Sequence, residues 1–310
     1  MNVTRNTYFK RLQELSEFDG RVMFVSADCA GLVFDEYRAA HPERFINVGI
    51  AEQNMISVAC GLALAGKRPV TYGHAPFSTT RALDQIRNCA ALMELPVSIA
   101  VNGIGFAQPY FGATHFNTED FYTMTLLPGV RVITPSSPSM GASAADYALD
   151  TQGPLYVRFD PHCDKELYTG CAVDFSKGFE VLRQGRDAAV VTSASYTHRA
   201  LALAEDWLAK GMDVMVVDVY SVPFDTELLL SSIGERPILT VEEQTEYGAL
   251  GVRLLCDLNA RGMRNTVRRL SVSFGDSYPD MSTLDSSYFQ QAYGLTDNAI
   301  TVALKLAVSK

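Results

Sequence analysis

Short β-rich runs alternate with helical runs along most of this chain, and that rhythm is the strongest constraint on its fold. Apolar, β-branched runs predict strands, and the longer stretches between them predict helices. In parallel sheets, helical crossovers cover both faces, so this alternation predicts an α/β fold. In the first half, strands are predicted at 22–26, 69–73, 96–102, 130–134 and 155–159, and helices at 52–65, 81–94, 118–126 and 138–149.

A polar, irregular stretch at 160–178 interrupts this alternation, which then resumes. The sequence therefore predicts two consecutive domains, each a mostly parallel sheet with helices on both faces. Their expected bounds are 1–162 and 181–310, joined by a linker over 163–180. In the second domain, strands are predicted at 188–193, 213–219, 236–241 and 268–273, and helices at 196–210, 225–232, 248–261 and 296–308.

Composition narrows the classes of partner. Of 310 residues, 47% are hydrophobic and 20% charged, as in soluble globular proteins that need no disulfides or metals for stability. The formal net charge of -9 argues against nucleic acid or an anionic membrane as partner. The N-terminus is polar, without the pattern of a signal peptide, and no apolar run reaches the roughly 20 residues that span a bilayer. Six scattered cysteines form no CxxC pair, so we expect free thiols and a cytoplasmic protein.

Glu52 stands just after a short apolar run, at the predicted start of a helix. A carboxylate there is favoured by the helix dipole, and on sequence alone this simple interpretation is preferred. The alternative is a functional carboxylate in an apolar setting that shares a proton with a ligand nitrogen.

His74, Phe77 and Arg81 lie where a predicted strand turns into a helix. Ligands of parallel α/β sheets bind outside the carboxyl ends of strands, which is where this turn lies. Phe77 is either part of the core or a ring on which a heteroaromatic ligand stacks. Each residue, taken alone, is more simply explained as structural.

Two further residues are candidates. His115 lies in a long Gly-rich loop before a helix, a setting that often carries function. Arg158 lies inside an apolar strand, where a buried arginine needs an anionic partner, either a protein carboxylate or a substrate phosphate. The chain has no GxSxG, HExxH, P-loop or GxGxxG motif, so these residues alone indicate only an α/β ligand-binding protein.

Several segments, taken in order, resemble the pyrimidine-binding domain of the transketolase and deoxyxylulose-phosphate synthase family over roughly residues 20–160. They read RFINVGIAEQNM, APFSTTRALDQIRN, GATHFNTED, VRVITPSSP and GPLYVRF. The later segments DVMVVDVYSVPFD and TVEEQTEYGALG resemble the C-terminal domain of that family. The resemblance thus covers nearly the whole chain.

The resemblance implies a site for thiamine diphosphate. Glu52 matches the catalytic glutamate that hydrogen-bonds the aminopyrimidine of this cofactor. Phe77 matches the ring that stacks on the pyrimidine, and His74 on the same turn is assigned to the cofactor site. Asp28 matches an aspartate near the thiazolium ring.

The resemblance also assigns substrate contacts. His115 matches a catalytic histidine that faces the reacting carbon, and Arg81 and Arg158 match arginines that bind substrate phosphate. Two positions depart from transketolases: AVNGIG replaces a histidine-bearing THDSIG segment, and Phe111 stands where an aspartate is expected. These departures favour an unusual, branched or modified ketose phosphate over the usual pentose phosphates.

Full-length transketolases hold the diphosphate through Mg²⁺ with a GDG motif followed by asparagine, and this chain has no such motif. The resemblance therefore implies a split transketolase, in which a separate N-terminal-type subunit holds Mg²⁺ and the diphosphate while this chain contributes no metal ligand. We expect an α2β2 assembly that transfers a two-carbon ketol unit from a ketose phosphate to an aldose.

Three alternatives stay open. The chain resembles, in length and architecture, the beta subunit of a 2-oxo-acid dehydrogenase, which also lacks the metal motif. A carboligase like deoxyxylulose-phosphate synthase is a second alternative, and a non-catalytic regulatory subunit is a third. The strings IAEQNM and GATH favour transketolase, and the joint presence of Glu52, His115 and Arg158 argues against a non-catalytic role.

Overall fold

The chain forms two compact units. The first comprises Met1–Ile104 and Thr123–Val173, and the second comprises Gly105–Tyr122 and Asp174–Lys310. The loop that chain order would place in the first domain thus packs with the second unit, and the domain bounds expected from sequence stay a prediction. The structure, a computed structural model, describes residues 2–29, 32–168, 173–278 and 285–309.

The sheet of the first unit is parallel throughout the strand pairs β1–β2, β1–β3, β3–β4, β4–β6 and β5–β6, with the order β5-β6-β4-β3-β1-β2. Its strands are almost wholly buried, as continuous apolar runs such as VMFVS predict. The strands are β1 (Val22–Ser26), β2 (Phe45–Asn47), β3 (Arg68–His74), β4 (Ser98–Asn102), β5 (Arg131–Ile133) and β6 (Leu155–Phe159).

Helices along the first half of the chain fill the connections between these strands. They are α1 (Val3–Ser16), α2 (Asp35–Ala40), α3 (Glu52–Leu64), α4 (Ala75–Ser78), α5 (Leu83–Gln85), α6 (Asp120–Thr125) and α7 (Pro138–Asp150). The continuous helix expected at 81–94 is wrong, because α5 passes directly into a π-helical stretch, Ile86–Ala91. Short 3₁₀ turns cover Leu32–Phe34, Pro42–Arg44 and Pro109–His115.

Helix α1, which the polar N-terminus did not predict, packs against α7. The helices approach so closely that a Cβ on Gly141 would lie 2.6 Å from the carbonyl oxygen of Thr4. The Thr4 hydroxyl also donates to the carbonyl of Cys163. On the other side of α1, the Phe9 ring meets Phe34 edge to face with centroids 4.7 Å apart, so the helix contributes to the aromatic core.

The second unit has a five-stranded sheet of order β12-β11-β8-β9-β7, in which only the β7–β9 pair is antiparallel. Its core surrounds the fully buried Trp207. Its strands are β7 (Phe179–Arg183), β8 (Ala188–Thr192), β9 (Val214–Val219), β10 (Ser221–Val222), β11 (Ile238–Thr245) and β12 (Val267–Val272). Its helices are α8 (Ser195–Ala209), α9 (Thr226–Ile233), α10 (Leu250–Ala260), α11 (Ser286–Ala292) and α12 (Asp297–Val308). The predicted α/β class with two mostly parallel sheets is confirmed.

The cysteines in the described ranges are free thiols: Cys29, Cys60, Cys89, Cys163 and Cys256. The sixth, Cys171, lies outside the described residues. Among the helices that the structure describes, none is long and apolar enough to cross a membrane.

Candidate functional site

Glu52 is the first residue of α3, and only 5% of its surface is exposed. No side chain caps this helix end, since Ala51 is the N-cap residue. The helix dipole favours a carboxylate at this position, but burial of a charge also requires a partner. Arg81 supplies it, because its Nη1 donates a 2.9 Å hydrogen bond to Oε2 of Glu52.

The partner of Glu52 also stacks on an aromatic ring. The guanidinium carbon of Arg81 lies 4.1 Å from the centroid of the Phe77 ring. Phe77 in turn meets His74 edge to face, with ring centroids 6.3 Å apart. Because His74 ends β3 and Phe77 lies in α4, this group sits at the carboxyl end of a central parallel strand, as expected from the sequence. The structure thus brings Glu52, His74, Phe77 and Arg81 into one cluster.

This cluster fits the ring that the family resemblance implies. A planar cation lies on the face of Phe77 and donates an N–H to a buried carboxylate. An aminopyrimidine offers the same combination, a flat π-face with an in-plane N–H donor. Glu52 and Phe77 are therefore residues that would hold such a ring.

Asp28 lies where β1 ends, beside the end of β2, and is fastened to Asn47. The Asn47 side chain accepts from the Asp28 backbone N–H and donates to the Asp28 carboxylate, both at 3.0 Å. Asp28 has φ of 58°, in the left-handed region that non-glycine residues seldom adopt. Sequence reasoning missed Asn47, although it lies within the family-like segment RFINVGIAEQNM.

Cys29 follows Asp28 and reports the electrostatics of this corner. Burial raises the pKa of its thiol to about 11, Arg5 acts in the opposite direction, and the charges of Glu52 and Asp28 raise it further. Glu52 and Asp28 therefore act on the same thiol, which links the end of β1 electrically to the start of α3.

Arg158 is buried in β6, with 4% of its surface exposed. It pairs in register with Val101 of β4, which pairs with Gly73 of β3. Neighbouring strands lie about 4.8 Å apart, so Arg158 stands two strands, or roughly 10 Å of backbone, from Gly73. It therefore belongs to the same carboxyl-end edge of the sheet as His74.

His115 lies in the second unit, whereas Glu52, Phe77 and Arg81 lie in the first. Its ring stacks on Phe111 with centroids 4.6 Å apart and planes 29° apart. Thr114 Oγ1 lies 3.0 Å from His115 Nδ1. The residue that replaces the expected aspartate is thus an aromatic platform under the histidine, and 57% of Phe111 is exposed.

The loop that carries His115 is closed at its base by backbone pairing between Gly105 and Asn117. The end of β11 holds this base: Glu243 accepts from the Phe106 N–H at 3.0 Å, and the Thr245 N–H donates to the Thr118 carbonyl at 2.7 Å. These anchoring residues were missed, although they lie within the family-like segment TVEEQTEYGALG.

A Mg²⁺ site does not fit the residues at hand. In the described ranges, no group of three or more His, Cys, Asp or Glu side chains is arranged to hold a metal ion. Such an ion would need several oxygen ligands, so no chemical step is assigned to a metal on this chain.

Comparison with known proteins matches both units. Residues 2–161 match the pyrimidine-binding domain of transketolase, and residues 178–300 match the transketolase C-terminal domain. One of the two subunits of an apulose-4-phosphate transketolase of Actinobacillus succinogenes is 32% identical over 237 residues, covering 76% of each chain. The 6-deoxy-6-sulfo-D-fructose transketolase subunit SqwH of a Clostridium species is 30% identical, covering 96% of this chain and 92% of its own.

A solved structure shows the same architecture. A split-gene transketolase, described as an inactive β4 tetramer, superposes with a TM-score of 0.85 at 29% identity, covering 99% of this chain and 98% of its own. The expected resemblance is confirmed. The chain therefore belongs to the transketolase family of transferases, in which it carries the pyrimidine-binding and C-terminal domains and matches the subunit encoded by split genes.

Proposed function

We propose that this chain is the pyrimidine-binding subunit of a cytoplasmic, thiamine-diphosphate-dependent split transketolase. A separate subunit would hold Mg²⁺ and the diphosphate, and the two would assemble as α2β2. The single observation that carries the proposal is the buried Glu52 at the start of α3, paired at 2.9 Å with a planar cation that stacks on Phe77. Relatives named as transketolase subunits, matched over most of their length, support the division into two chains.

When bound, thiamine diphosphate supplies the electron sink that lets a ketose C–C bond break and a two-carbon ketol unit pass to an aldose. Glu52 accepts an N–H from the aminopyrimidine and holds the proton at that nitrogen. Phe77 fixes the plane of the ring by stacking, with His74 packed against the edge of Phe77. Asp28, held by Asn47, lies at the adjacent strand end on the thiazolium side.

The remaining residues act on the substrate. His115 exchanges a proton with a substrate hydroxyl at the reacting carbon, a role for which a neutral imidazole is suited near pH 7. Arg158, buried at the sheet edge, binds a substrate phosphate in the charge-assisted manner typical of arginine. Arg81 is the second phosphate ligand.

We propose an anionic, modified ketose as the donor. The two subunit relatives are named for apulose 4-phosphate and for 6-deoxy-6-sulfo-D-fructose, both of which carry an anionic group. In this chain, Phe111 offers an apolar ring where an aspartate would bind sugar hydroxyls. A donor with fewer hydroxyls, or with a branch at that end, suits such a surface better than a pentose phosphate.

The test is a ketol-transfer assay with thiamine diphosphate and Mg²⁺ on this chain co-expressed with the product of the neighbouring gene. Each subunit is assayed alone and in the mixture, with a panel of ketose phosphates and sulfonates as donors. We expect turnover only in the mixture. An assembly that decarboxylates 2-oxo acids but transfers no ketol unit from any sugar would instead establish a 2-oxo-acid dehydrogenase subunit. Condensation of pyruvate with an aldehyde would establish a synthase-like carboligase.

A further inference from the structure

Arg81 uses both surfaces of the cluster that an aminopyrimidine would use. Its guanidinium lies 4.1 Å above the Phe77 ring and donates at 2.9 Å to Glu52. A guanidinium is flat, delocalised and rich in N–H donors, so it stacks on rings and pairs with carboxylates. In shape and hydrogen bonding it resembles an aminopyrimidine that presents an N–H.

Resting on the proposed function, we propose that Arg81 is a built-in stand-in for the cofactor pyrimidine, which the cofactor must displace in order to bind. One ring face cannot hold two flat groups at stacking distance. The Oε2 atom that accepts from Arg81 is likewise an acceptor that the pyrimidine N–H needs.

Burial explains why a stand-in is useful. The Glu52 side chain is 6% exposed, so an ionised carboxylate there is costly without a partner. Arg81 keeps it paired until the pyrimidine N–H replaces the guanidinium. The Arg81 side chain is 46% exposed, so it can rotate outward into solvent without opening the core.

Displacement also gives Arg81 its second role. While docked on Glu52, its charge is neutralised and is a poor ligand for an anion. Once the pyrimidine takes its place, the guanidinium becomes available to the substrate phosphate assigned to it above. Cofactor and phosphate binding are therefore coupled, and because coupling free energies are reciprocal, each should tighten the other.

The test compares the two-subunit assembly carrying wild-type chain, Arg81→Ala or Arg253→Ala. Arg253 is a matched control in the second unit, since it pairs with Asp257 at 2.8 Å and lies 5.6 Å from the Phe224 ring centroid. Isothermal titration with thiamine diphosphate and Mg²⁺ measures the Kd of each assembly. If Arg81 is docked about 90% of the time, removing it lowers the apparent Kd about tenfold.

We expect this tightening for Arg81→Ala and an unchanged Kd for Arg253→Ala. A second titration, with inorganic phosphate, should show tighter binding to the cofactor-loaded wild type than to the cofactor-free wild type. Arg81→Lys, which keeps the charge but loses the flat stacking group, should also bind cofactor more tightly than wild type while retaining the phosphate coupling.

Equal or weaker cofactor binding by both Arg81 variants, in an assembly whose wild type binds, would overturn the stand-in and leave the proposed function intact. Equal phosphate affinity with and without cofactor in wild type would overturn the coupling. Failure of the wild type itself to bind cofactor would overturn the proposed function, and the inference with it.

Discussion

The hydroxyl oxygen of Thr114 lies 3.0 Å from Nδ1 of His115 and donates its proton to the carbonyl of Phe111 at 3.1 Å. A hydroxyl has one proton, so when it serves Phe111 the oxygen can only accept from His115. The neutral imidazole then carries its proton on Nδ1, and Nε2 is the unprotonated, basic nitrogen. Thr114 thus selects the tautomer of the histidine that we assign to proton exchange.

Replacing Thr114 with valine should release this tautomer. The change removes one hydrogen bond, which contributes about 0.5–1.5 kcal/mol, so the Nε2–H form should gain population. Nitrogen-15 NMR of the five histidines, with His115→Gln to assign the signal, reads the tautomer directly. Thr7→Val, at an exposed threonine that bonds only within its own helix turn, is the control. An unchanged His115 spectrum in Thr114→Val would contradict this assignment.

Glu243 should control the order of the His115 loop. Its carboxylate accepts from the Phe106 N–H at 3.0 Å, the Tyr196 hydroxyl at 2.9 Å and the Gln290 amide at 3.0 Å. Glu243→Ala leaves these donors without this acceptor, which should cost about 1–3 kcal/mol per buried group left unsatisfied. Hydrogen exchange in 105–117 should accelerate and the Tm should fall. The exposed Glu235→Ala is the control, and equal exchange in both variants would refute the anchoring role.

Cys29 should titrate unusually high, at about 11. Because the thiolate is the nucleophile, alkylation by iodoacetamide should keep accelerating as pH rises towards 11. A folded pKa above the ordinary 9.0 means that folding favours the protonated thiol, so this contribution to stability is present below pH 9 and is lost as pH rises through about 11. Mass spectrometry of labelling against pH tests this, with Cys29→Ser as the stability control. A rate that levels off near pH 9 would contradict it.

The core of the second unit offers a stability test with a built-in probe. Trp207 is the sole tryptophan, is fully buried, and packs in the same cluster as Leu304 of α12. Leu304→Ala should destabilise this unit by about 2–5 kcal/mol, through lost burial and the cavity left behind. Leu306→Ala on the same helix, 47% exposed, should change stability by less than about 0.5 kcal/mol. Denaturation followed by Trp207 fluorescence separates the two, and equal midpoints would contradict the packing.

Much of the fold was predictable because buried parallel strands and amphipathic helices carry strong local signals. Strand β1 matches its predicted bounds, and α3 and α12 match theirs to within a residue. Helix α1 was missed because its sequence is polar overall, and its few apolar residues acquire meaning only when packed on the sheet. Strand β7 was missed because it is a half-buried edge strand that follows the irregular stretch, with little apolar alternation.

The candidate site was predictable only in part. Residue types at strand ends indicated Glu52, Phe77 and Arg81, but no local pattern shows that Arg81 reaches back 29 residues to Glu52. The same holds for Glu243, which lies 137 residues from the amide it anchors. Such long-range pairs depend on tertiary structure, which a single sequence without alignment does not specify.

The central claim is that Glu52 serves the cofactor. In the two-subunit assembly, Glu52→Gln keeps the size of the side chain but removes the carboxylate, so ketol transfer should fall by about 10²–10⁴-fold. Glu36→Gln is the matched control, because Glu36 is exposed in the first turn of α2. The measurement is the steady-state rate of ketol transfer, with assembly and Tm checked for each variant. Loss of turnover in Glu52→Gln alone, with assembly intact, is the predicted result, and wild-type turnover in that variant would contradict the account.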